Sequence, residues 1–406
     1  MRRTFAYLTL ASALLFFGSA RPVPVQGAGM ERIVIPESSV ERPADAGVRM
    51  HTNFVVYQPD THPDTSSPGV NWETPGSMGC VYGITGPAGI HPCPIKTSTR
   101  NPSGGGGAIA VVDAYDNPNA ATDLSTFSSR WRLPAADFTK VYAQGKKPAN
   151  NAGGWSLEEA LDIEWAHAMA PNAKIILVEA VSTSTSDLFP AERTAAGMVA
   201  ADGGGEVSNS WSGAEMSDEG KDDLLYFGTT GVVYFASAGD NGGVSYPSSS
   251  PKVISAGGTR INRTNGSFTS ETIWNDGSGE TGGGPSRYEP TPSFQSGVVH
   301  GTKRGTPDFS FNASPYSGVA MYDADGGYGW LCMGGTSVSA PALAGIVNAA
   351  GHFYASTEIE LGVIYSNRKN AQAFRDITSG KCKGYAASQG WDFCSGVGSN
   401  QTLLGK

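Results

Sequence analysis

The chain has 406 residues, of which 39% are hydrophobic and only 16% are charged, and its net charge is −9. This length allows one large domain or two ordinary ones, and the apolar content is sufficient for a sizeable core. No run of Lys and Arg is longer than a pair. Nucleic acid is therefore not expected as a partner, because a basic patch that could neutralise phosphates is missing.

The first residues predict export. Arg2 and Arg3 precede an apolar stretch from Phe5 to Phe17, and Gly18-Ser19-Ala20 follows. A positive start, a short apolar stretch and small residues are typical of a signal peptide, here residues 1–20. The stretch is too short to span a membrane, so we expect a secreted protein with no membrane contact after cleavage. A buried N-terminal helix is the alternative.

Composition then divides the rest of the chain in two. Residues 21–103 form a predicted N-terminal extension, polar and proline-bearing at first and later rich in Pro, Gly, Ser and Thr. Four consecutive glycines begin at Gly104, and short apolar runs alternate with helical patterns beyond them. We therefore place the ordered domain at residues 104–406 and expect residues 21–50 to be a loose extension.

The alternating pattern predicts an α/β fold. Strands are predicted at Ala108–Val112, Lys174–Ala180, Glu206–Ser210, Gly231–Ala236, Val253–Ala256 and Gly318–Tyr322, and helices at Ala120–Arg130, Leu157–Ala170, Ser337–Ala350 and Ile359–Tyr365. Continuous apolar strands separated by helices indicate a mostly parallel central sheet with helices on both faces. Ligands of such sheets bind beyond the carboxyl ends of the strands, where Asp240 and Ser337 are expected.

The chain has five cysteines. In an exported protein, close pairs suggest disulfides, and Cys80 with Cys93 and Cys382 with Cys394 would each close a short loop. Cys332 would be left over. No CxxC pair is present in the sequence, so a structural zinc site is not expected.

Residues 334–341 read Gly-Gly-Thr-Ser-Val-Ser-Ala-Pro, and a run of small residues follows. A tight glycine turn at the start of a helix presents the Ser337 hydroxyl, and the N–H groups at a helix start favour nearby negative charge. The motif predicts a nucleophile and raises the question of which base activates it.

Histidine is the usual base for a hydrolytic serine, and the chain has six. His300-Gly301-Thr302 resembles the His-Gly-Thr of subtilisin-like enzymes. However, it lies in a loop-like segment shortly before Ser337, whereas the histidine of those enzymes lies far upstream. We interpret His300 as a surface residue and His167 as a residue on a helix face.

Carboxylates are better placed. Ser156 and Glu159 predict a capping box at the start of a helix. Glu158 and Asp162 are four residues apart and therefore share one helix face. An exposed pair would be a solvated acidic face, whereas a buried pair would share a proton, with one pKa raised. One carboxylate of a buried pair can act as a general base while the other orients it.

A third acidic candidate follows a strand, in Ser237-Ala238-Gly239-Asp240. Asp240 could simply stabilise this turn, as aspartate often does. Its position after a strand also places it where sheets of this kind bind ligands.

These motifs together resemble the sedolisin family of serine-carboxyl peptidases over roughly residues 104–400. Glu-x-x-x-Asp is followed by Ala-Pro-x-Ala-Lys-Ile, then Ser-Ala-Gly-Asp, then Gly-Gly-Thr-Ser-x-x-x-Pro, in the order of the family. The resemblance implies a three-layer subtilisin-like fold and an acyl-enzyme mechanism. It assigns Ser337 as nucleophile, Glu158 as general base and acid, Asp162 as its orienting partner, and Asp240 as the donor to the oxyanion.

The implied chemistry predicts action in acid. A glutamate has an ordinary pKa of about 4.3, so it accepts protons where histidine does not, and an aspartate helps an oxyanion only when protonated. We expect a monomer that acts on polypeptide substrates at about pH 3 to 5. Trp211 is a candidate to shield the carboxylates, and Asp113 is a candidate to extend their network.

The resemblance also implies one calcium ion near the C-terminus. The family site uses two aspartates and three backbone carbonyls, and these correspond here to Asp376, Ile377, Ser388, Gly390 and Asp392. Oxygen ligands of this kind suit Ca²⁺. A turn-rich tail without a metal ion is the alternative.

One departure concerns the N-terminus, because the family carries a large pro-domain for which residues 21–103 are too short. This extension is either a reduced pro-segment or a sign that this branch folds without one. The alternatives to a sedolisin-type peptidase are a catalytically silent relative used for binding and a histidine-dependent subtilisin-type protease.

Overall fold

A computed structural model describes residues 32–58, 65–86, 92–96 and 98–406, and the predicted signal peptide lies outside the described residues. The strands are β1 Arg32–Val34, β2 His51–Thr52, β3 Val55–Gln58, β4 Ala108–Ala114, β5 Asp137–Tyr142, β6 Lys174–Ala180, β7 Gly205–Asn209, β8 Trp211–Ser212, β9 Val232–Ser237, β10 Ile254–Thr264, β11 Ser267–Ile273, β12 Gly284–Pro290, β13 Lys303–Thr306, β14 Phe309–Asn312, β15 Val319–Asp323, β16 Gly329–Gly334, β17 Phe374–Arg375, β18 Lys381–Cys382, β19 Tyr385–Ala386 and β20 Ser399–Asn400. The helices are α1 Pro75–Val81, α2 Ala120–Trp131, α3 Trp155–Met169, α4 Thr185–Ala201, α5 Glu219–Tyr226, α6 Thr336–Ala350 and α7 Thr357–Ser366.

The central sheet has the strand order β17-β20-β14-β10-β9-β7-β4-β6-β5, and β11 pairs with β10. Pairing is parallel from β5 through to β20, while β17 and β11 join in the antiparallel direction. The inner strands β4 and β9 are buried along their whole length because both faces of the sheet are covered. The predicted mostly parallel sheet is confirmed.

Two apolar clusters lie on opposite faces of this sheet. One contains side chains of α2, α3 and α6, such as Leu124, Ile163 and Leu343. The other contains side chains of α4, such as Leu188 and Val199. Helices therefore cover both faces, as predicted, and the protein has a three-layer α/β architecture.

The small residues of α6 let it approach α3 closely. A Cβ added to Gly345 would lie 2.7 Å from Cβ of Met169, so a larger side chain would push the two helices apart. Close packing of α3 on α6 sets the separation between the acidic helix and the serine that begins α6.

Most predicted elements are confirmed with shifts of one or two residues, and Lys174–Ala180 matches at both ends. The capping box is wrong. Helix α3 begins at Trp155 after Gly154, so Ser156 lies inside the helix. Glu159 instead accepts the backbone N–H of Asn117 at 3.0 Å, because a tertiary contact has taken the carboxylate that the local pattern assigned to the helix start.

The predicted strand Val253–Ala256 is the start of a longer one. Strand β10 continues to Thr264 and turns back as β11. Its second half is partly exposed and polar, so it carries no continuous apolar run that would have predicted it.

The described part of the N-terminal extension is paired with strands of the predicted catalytic domain. Strand β2 pairs with β8, β3 pairs with β16, and β1 pairs with β3, all in the antiparallel direction. Residues 51–58 are therefore held next to the segment that leads into α6, whereas no regular structure was expected there.

Both predicted disulfides, Cys80–Cys93 and Cys382–Cys394, are confirmed, and Cys332 is free and buried. Among the residues that the structure describes, no helix is both long enough and apolar enough to cross a membrane.

Candidate active site

Ser337 is the second residue of α6, directly after the turn that leaves β16. The turn depends on Gly335, whose φ of 103° is unfavourable for other residues. A Cβ at Gly335 would also lie 2.2 Å from the carbonyl oxygen of Asn53. The glycine thus serves both the turn and the close approach of another backbone segment.

The predicted nucleophile and base are in hydrogen-bond contact. Oγ of Ser337 lies 2.9 Å from Oε2 of Glu158 and 3.0 Å from the carbonyl oxygen of Ser210, and it can donate to either. Ser337 and Glu158 are both fully buried. A hydroxyl with a carboxylate acceptor at this distance has the geometry needed for proton transfer to a general base.

Three carboxyl groups form a buried cluster behind the serine. Glu158 and Asp162 lie on one face of α3, and Asp113 lies near the end of β4. Burial, followed by the charges of Asp162 and Asp113, raises the pKa of Glu158 well above its usual value. The solvated-face alternative is therefore wrong, because none of the three residues is exposed.

Asp162 is positioned by Ser210, which also contacts the backbone of Ser337. Oγ of Ser210 donates to Oδ1 of Asp162 at 2.7 Å and lies 3.2 Å from the carbonyl oxygen of Ser337. Ser210 lies between β7 and β8, at the carboxyl end of the sheet. It links the acidic face of α3 to the start of α6.

Asp240 contacts the turn that leads into Ser337, away from the carboxylate cluster of Glu158, Asp162 and Asp113. Its Oδ1 accepts the backbone N–H and the hydroxyl of Thr336, both at 2.8 Å. Its Oδ2 is buried and has no hydrogen-bond partner. Burial raises the pKa of Asp240 to about 7, even though the contacts from Thr336 and the charge of His51 act to lower it. Below that pH, Oδ2 can carry a proton that is free to be donated.

The chain is 31% identical to kumamolisin from Bacillus sp. (strain MN-32) over 363 aligned positions, covering 77% of this chain and 62% of kumamolisin. Sedolisin from Pseudomonas sp. (strain 101) is 32% identical over 235 positions, covering 48% of this chain and 38% of sedolisin. The chain is a relative of the sedolisins. It spans less than two thirds of the length of either protein. No protein-family model matches it.

The fold of this sedolisin relative is also that of solved peptidases. Pseudomonas sedolisin, solved in complex with pseudo-iodotyrostatin, superposes with a TM-score of 0.63 at 23% identity, over 82% of this chain and 96% of that one. A psychrophilic protease superposes with a TM-score of 0.50 at 17% identity, over 73% of this chain and 92% of that one. These similarities show the predicted subtilisin-like fold.

The histidines are placed as expected in this sedolisin relative. His167 is buried on α3, and its Nε2 lies 3.0 Å from the carbonyl oxygen of Pro134. His300 lies in a loop that lines a separate cavity beside Trp391. Within the described part of the chain, the hydrogen-bond partners of the Ser337 hydroxyl are Asn53, Glu158 and Ser210, and none is a histidine.

The two supporting candidates have different outcomes. Asp113 lies close enough to Glu158 and Asp162 for its charge to raise their pKa values, as a member of the carboxylate network would. Trp211 packs against Phe189 in the cluster on the opposite face of the sheet, and its indole N–H donates to the carbonyl of Val112 at 2.8 Å. Its shielding role finds no support in these contacts.

The predicted calcium ligands lie in one loop cluster. Oδ2 of Asp376 accepts the N–H of Gly390, and Oδ2 of Asp392 accepts the N–H of Ser388, both at 3.0 Å. Among the described residues, no group of three or more His, Cys, Asp or Glu side chains could hold a metal ion. An ion here would therefore depend on backbone carbonyls. The two aspartates and the nearby carbonyl groups fit such an oxygen-only donor set in composition, and the site stays a prediction.

Sequence reasoning missed three residues at this site. Ser210, Thr336 and Asn53 contact the predicted residues directly. Thr336 adjoins the serine, so the glycine-turn motif itself carries a signal for it. Ser210 and Asn53 lie far from it in sequence and carry no local signal, so only the tertiary fold reveals them.

Proposed function

We propose that this sedolisin relative is a secreted serine-carboxyl peptidase that hydrolyses peptide bonds in acid. The observation that carries the proposal is the 2.9 Å contact between Oγ of Ser337 and Oε2 of Glu158 inside a buried carboxylate cluster. The peptidases similar to the chain support the same reaction.

In the first step, Oγ of Ser337 attacks the substrate carbonyl carbon while Glu158 takes the hydroxyl proton. The carbonyl oxygen becomes an oxyanion, which the N–H of Ser337 and the protonated carboxyl of Asp240 stabilise. Glu158 then gives its proton to the leaving amine, and an acyl-enzyme remains. Water repeats the sequence with Glu158 again as base, releasing the carboxylic acid product and restoring Ser337.

Asp162 and Asp113 set the charge of this base. Three buried carboxyl groups do not all ionise together, because like charges at short range raise one another's pKa. Burial and the charge of Asp113 raise the pKa of Asp162 well above its usual value. The charge of Asp162 in turn raises the pKa of Glu158, so the cluster shares its protons, and Glu158 accepts the proton of Ser337 in the fraction of the protein in which it is ionised.

The state of Asp240 limits the reaction at high pH. With a pKa of about 7, its carboxyl is neutral in acid and ionised in alkali. An ionised Asp240 would repel the oxyanion and has no proton to donate. We therefore expect activity to fall as pH rises through about 7.

A calcium ion is part of the proposal. Asp376 and Asp392 would supply carboxylate oxygens, and the carbonyl groups of Ile377, Ser388 and Gly390 would complete its shell. When bound, the ion would supply structural cross-linking of the C-terminal loop. No step of the reaction is assigned to it.

A second candidate, a silent relative used for binding, is favoured by one observation. Ser337 is fully buried, and backbone atoms of Asn53 lie against it. A cleft that is permanently occupied would bind but not cut.

The test is hydrolysis of a denatured protein across pH 2 to 9 by the full chain. We expect cleavage that is lost in Ser337→Ala and Glu158→Ala. Ser339→Ala removes a neighbouring buried hydroxyl of α6 and Glu164→Gln neutralises another buried acid of α3, and both should retain activity. Full activity of Glu158→Ala would refute the peptidase mechanism. Absence of cleavage by folded wild-type protein with added Ca²⁺ would favour the silent relative.

A further inference from the structure

A short piece of the chain's own backbone lies in the candidate cleft. Strand β2, residues His51–Thr52, pairs in the antiparallel direction with β8, and Asn53 follows it directly over Ser337. The N–H of Asn53 donates to Oγ of Ser337 at 3.1 Å. The backbone N–H of Ser337 donates to the carbonyl oxygen of Asn53 at 2.9 Å. An extended peptide added beside an existing strand is a common mode of peptide recognition.

The carbonyl of Asn53 occupies the place where an oxyanion would form. It accepts the backbone N–H of the nucleophilic serine, which is the donor expected for a substrate carbonyl. A Cβ built on Gly335 would lie 2.2 Å from this oxygen and 2.6 Å from Oδ2 of Asp240. The carbonyl oxygen of Asn53 and the unpartnered Oδ2 of Asp240 therefore both lie beside Gly335. Asn53 thus corresponds to the residue on the amino side of a bond to be cut.

The side chain of Asn53 is held in a small polar pocket. Its Nδ2 donates to Oγ of Ser237 at 2.7 Å and to Oγ of Ser212 at 2.9 Å. The hydroxyl of Ser212 lies 3.1 Å from Oδ1 and can donate to it. All three residues are buried, with Asn53 only 1% exposed. Two hydroxyl groups thus contact both ends of one carboxamide.

We propose that Ser212 and Ser237 form a subsite that selects asparagine as the substrate residue whose carbonyl enters the oxyanion site. This proposal rests on the proposed peptidase function and adds its substrate preference. Residues 51–54 act as the stand-in ligand that reveals the subsite. An apolar side chain of the same size would leave buried hydroxyl groups without partners, and such a mismatch costs at least about tenfold in binding.

Residues 51–54 are held in a geometry that differs from the one needed for attack by Ser337. Oγ of Ser337 accepts the N–H of Asn53, so one of its lone pairs faces a proton rather than the carbonyl carbon. Downstream, β3 is fixed to β16, with Val55 opposite Gly334. A substrate must therefore displace residues 51–54 while β3 stays in its sheet.

The test uses two synthetic peptides that differ only in Asn or Leu at the residue before the scissile bond. The full-length protein, Ser237→Ala, Ser212→Ala and the control Ser255→Ala are compared by kcat/KM, with cleavage positions read by mass spectrometry. The Ser255 hydroxyl is buried, has no hydrogen-bond partner among the described residues, and lies on the strand next to that of Ser237. We expect wild type and Ser255→Ala to favour Asn by at least about tenfold, and this ratio to fall to near 1 in Ser237→Ala.

Equal cleavage of both peptides by wild type, or an unchanged ratio in both subsite variants, would overturn the subsite and leave the peptidase function intact. A second measurement covers a protein that cuts neither peptide. In the Ser337→Ala background, thermal unfolding of Asn53→Ala, Ser237→Ala and the double variant forms a cycle. Non-additive shifts would support carboxamide recognition even if the peptidase function fails, and additive shifts would refute it.

Discussion

The most informative single change is Asp240→Asn. Oδ1 of Asp240 only accepts hydrogen bonds, from the N–H and hydroxyl of Thr336, and the amide oxygen of Asn can accept both. Oδ2 has no partner, so an amide NH₂ can replace it without losing a contact. The variant therefore keeps the shape of the site and supplies a donor that does not titrate.

The expected size of the effect follows from the pKa of Asp240, which is raised to about 7. With one titrating donor, about a tenth of the protein keeps the proton at pH 8 and about a hundredth at pH 9. Wild-type kcat/KM should therefore fall about tenfold and then about a hundredfold relative to its acid plateau. Asp240→Asn should hold its plateau across this range, and Asp240→Ala should lose about 100- to 1,000-fold at every pH.

The assay is kcat/KM on a quenched fluorescent peptide between pH 4 and 9, with circular dichroism at each pH to confirm folding. Asp223→Asn is the matched control, because burial also raises the pKa of Asp223 to about 7 at a site remote from Ser337. Its profile should match that of wild type. An alkaline decline near pH 7 that persists in Asp240→Asn would refute the assigned donor role.

Three further predictions concern the stability of the protein. Gly335→Ala should lower the free energy of unfolding by at least about 2 kcal/mol and abolish activity, since it strains a φ of 103° and places a Cβ against the carbonyl oxygen of Asn53. Gly266→Ala also has a positive φ, of 77°, but its Cβ would meet no atom within 4 Å, so it should cost less in the same urea titration. Burial raises the pKa values of Asp323 and Glu360 to about 8, so the folded state holds their protons more tightly than the unfolded state does. This contribution to stability is complete below about pH 4 and is lost as pH rises through 8. Tm should therefore fall from about pH 5 to 9, and a constant Tm would contradict this. Chelation with EGTA should lower Tm in wild type and have no effect in Asp376→Asn if Ca²⁺ binds there.

The sequence predicted the sheet because its strands are continuous apolar runs, and Lys174–Ala180 was located to the residue. It predicted both disulfides from cysteine spacing. These features depend on neighbouring residues. The predicted capping box is wrong because it depends on a distant residue. The carboxylate of Glu159 accepts the backbone N–H of Asn117, which lies in a different part of the chain.

The candidate site also combines features predicted from neighbouring residues with features set by distant contacts. Glu158 and Asp162 share a helix face by their spacing, but their burial depends on how closely α3 packs on α6. Nothing local to Asn53 indicates that it lies over Ser337, because 284 positions separate the two residues. Contacts of this range arise from sheet pairing, here β2 with β8 and β3 with β16, which no periodic pattern in short segments reveals.

The most direct test of the central claim is the pH–rate profile of Glu158→Gln beside those of wild type and Ser337→Ala. Glutamine keeps the size of the side chain in contact with Ser337 but does not accept a proton. We predict cleavage by wild type with a decline above about pH 7, and no cleavage by either variant from pH 2 to 9. Wild-type activity retained in Glu158→Gln would contradict a carboxylate base for Ser337.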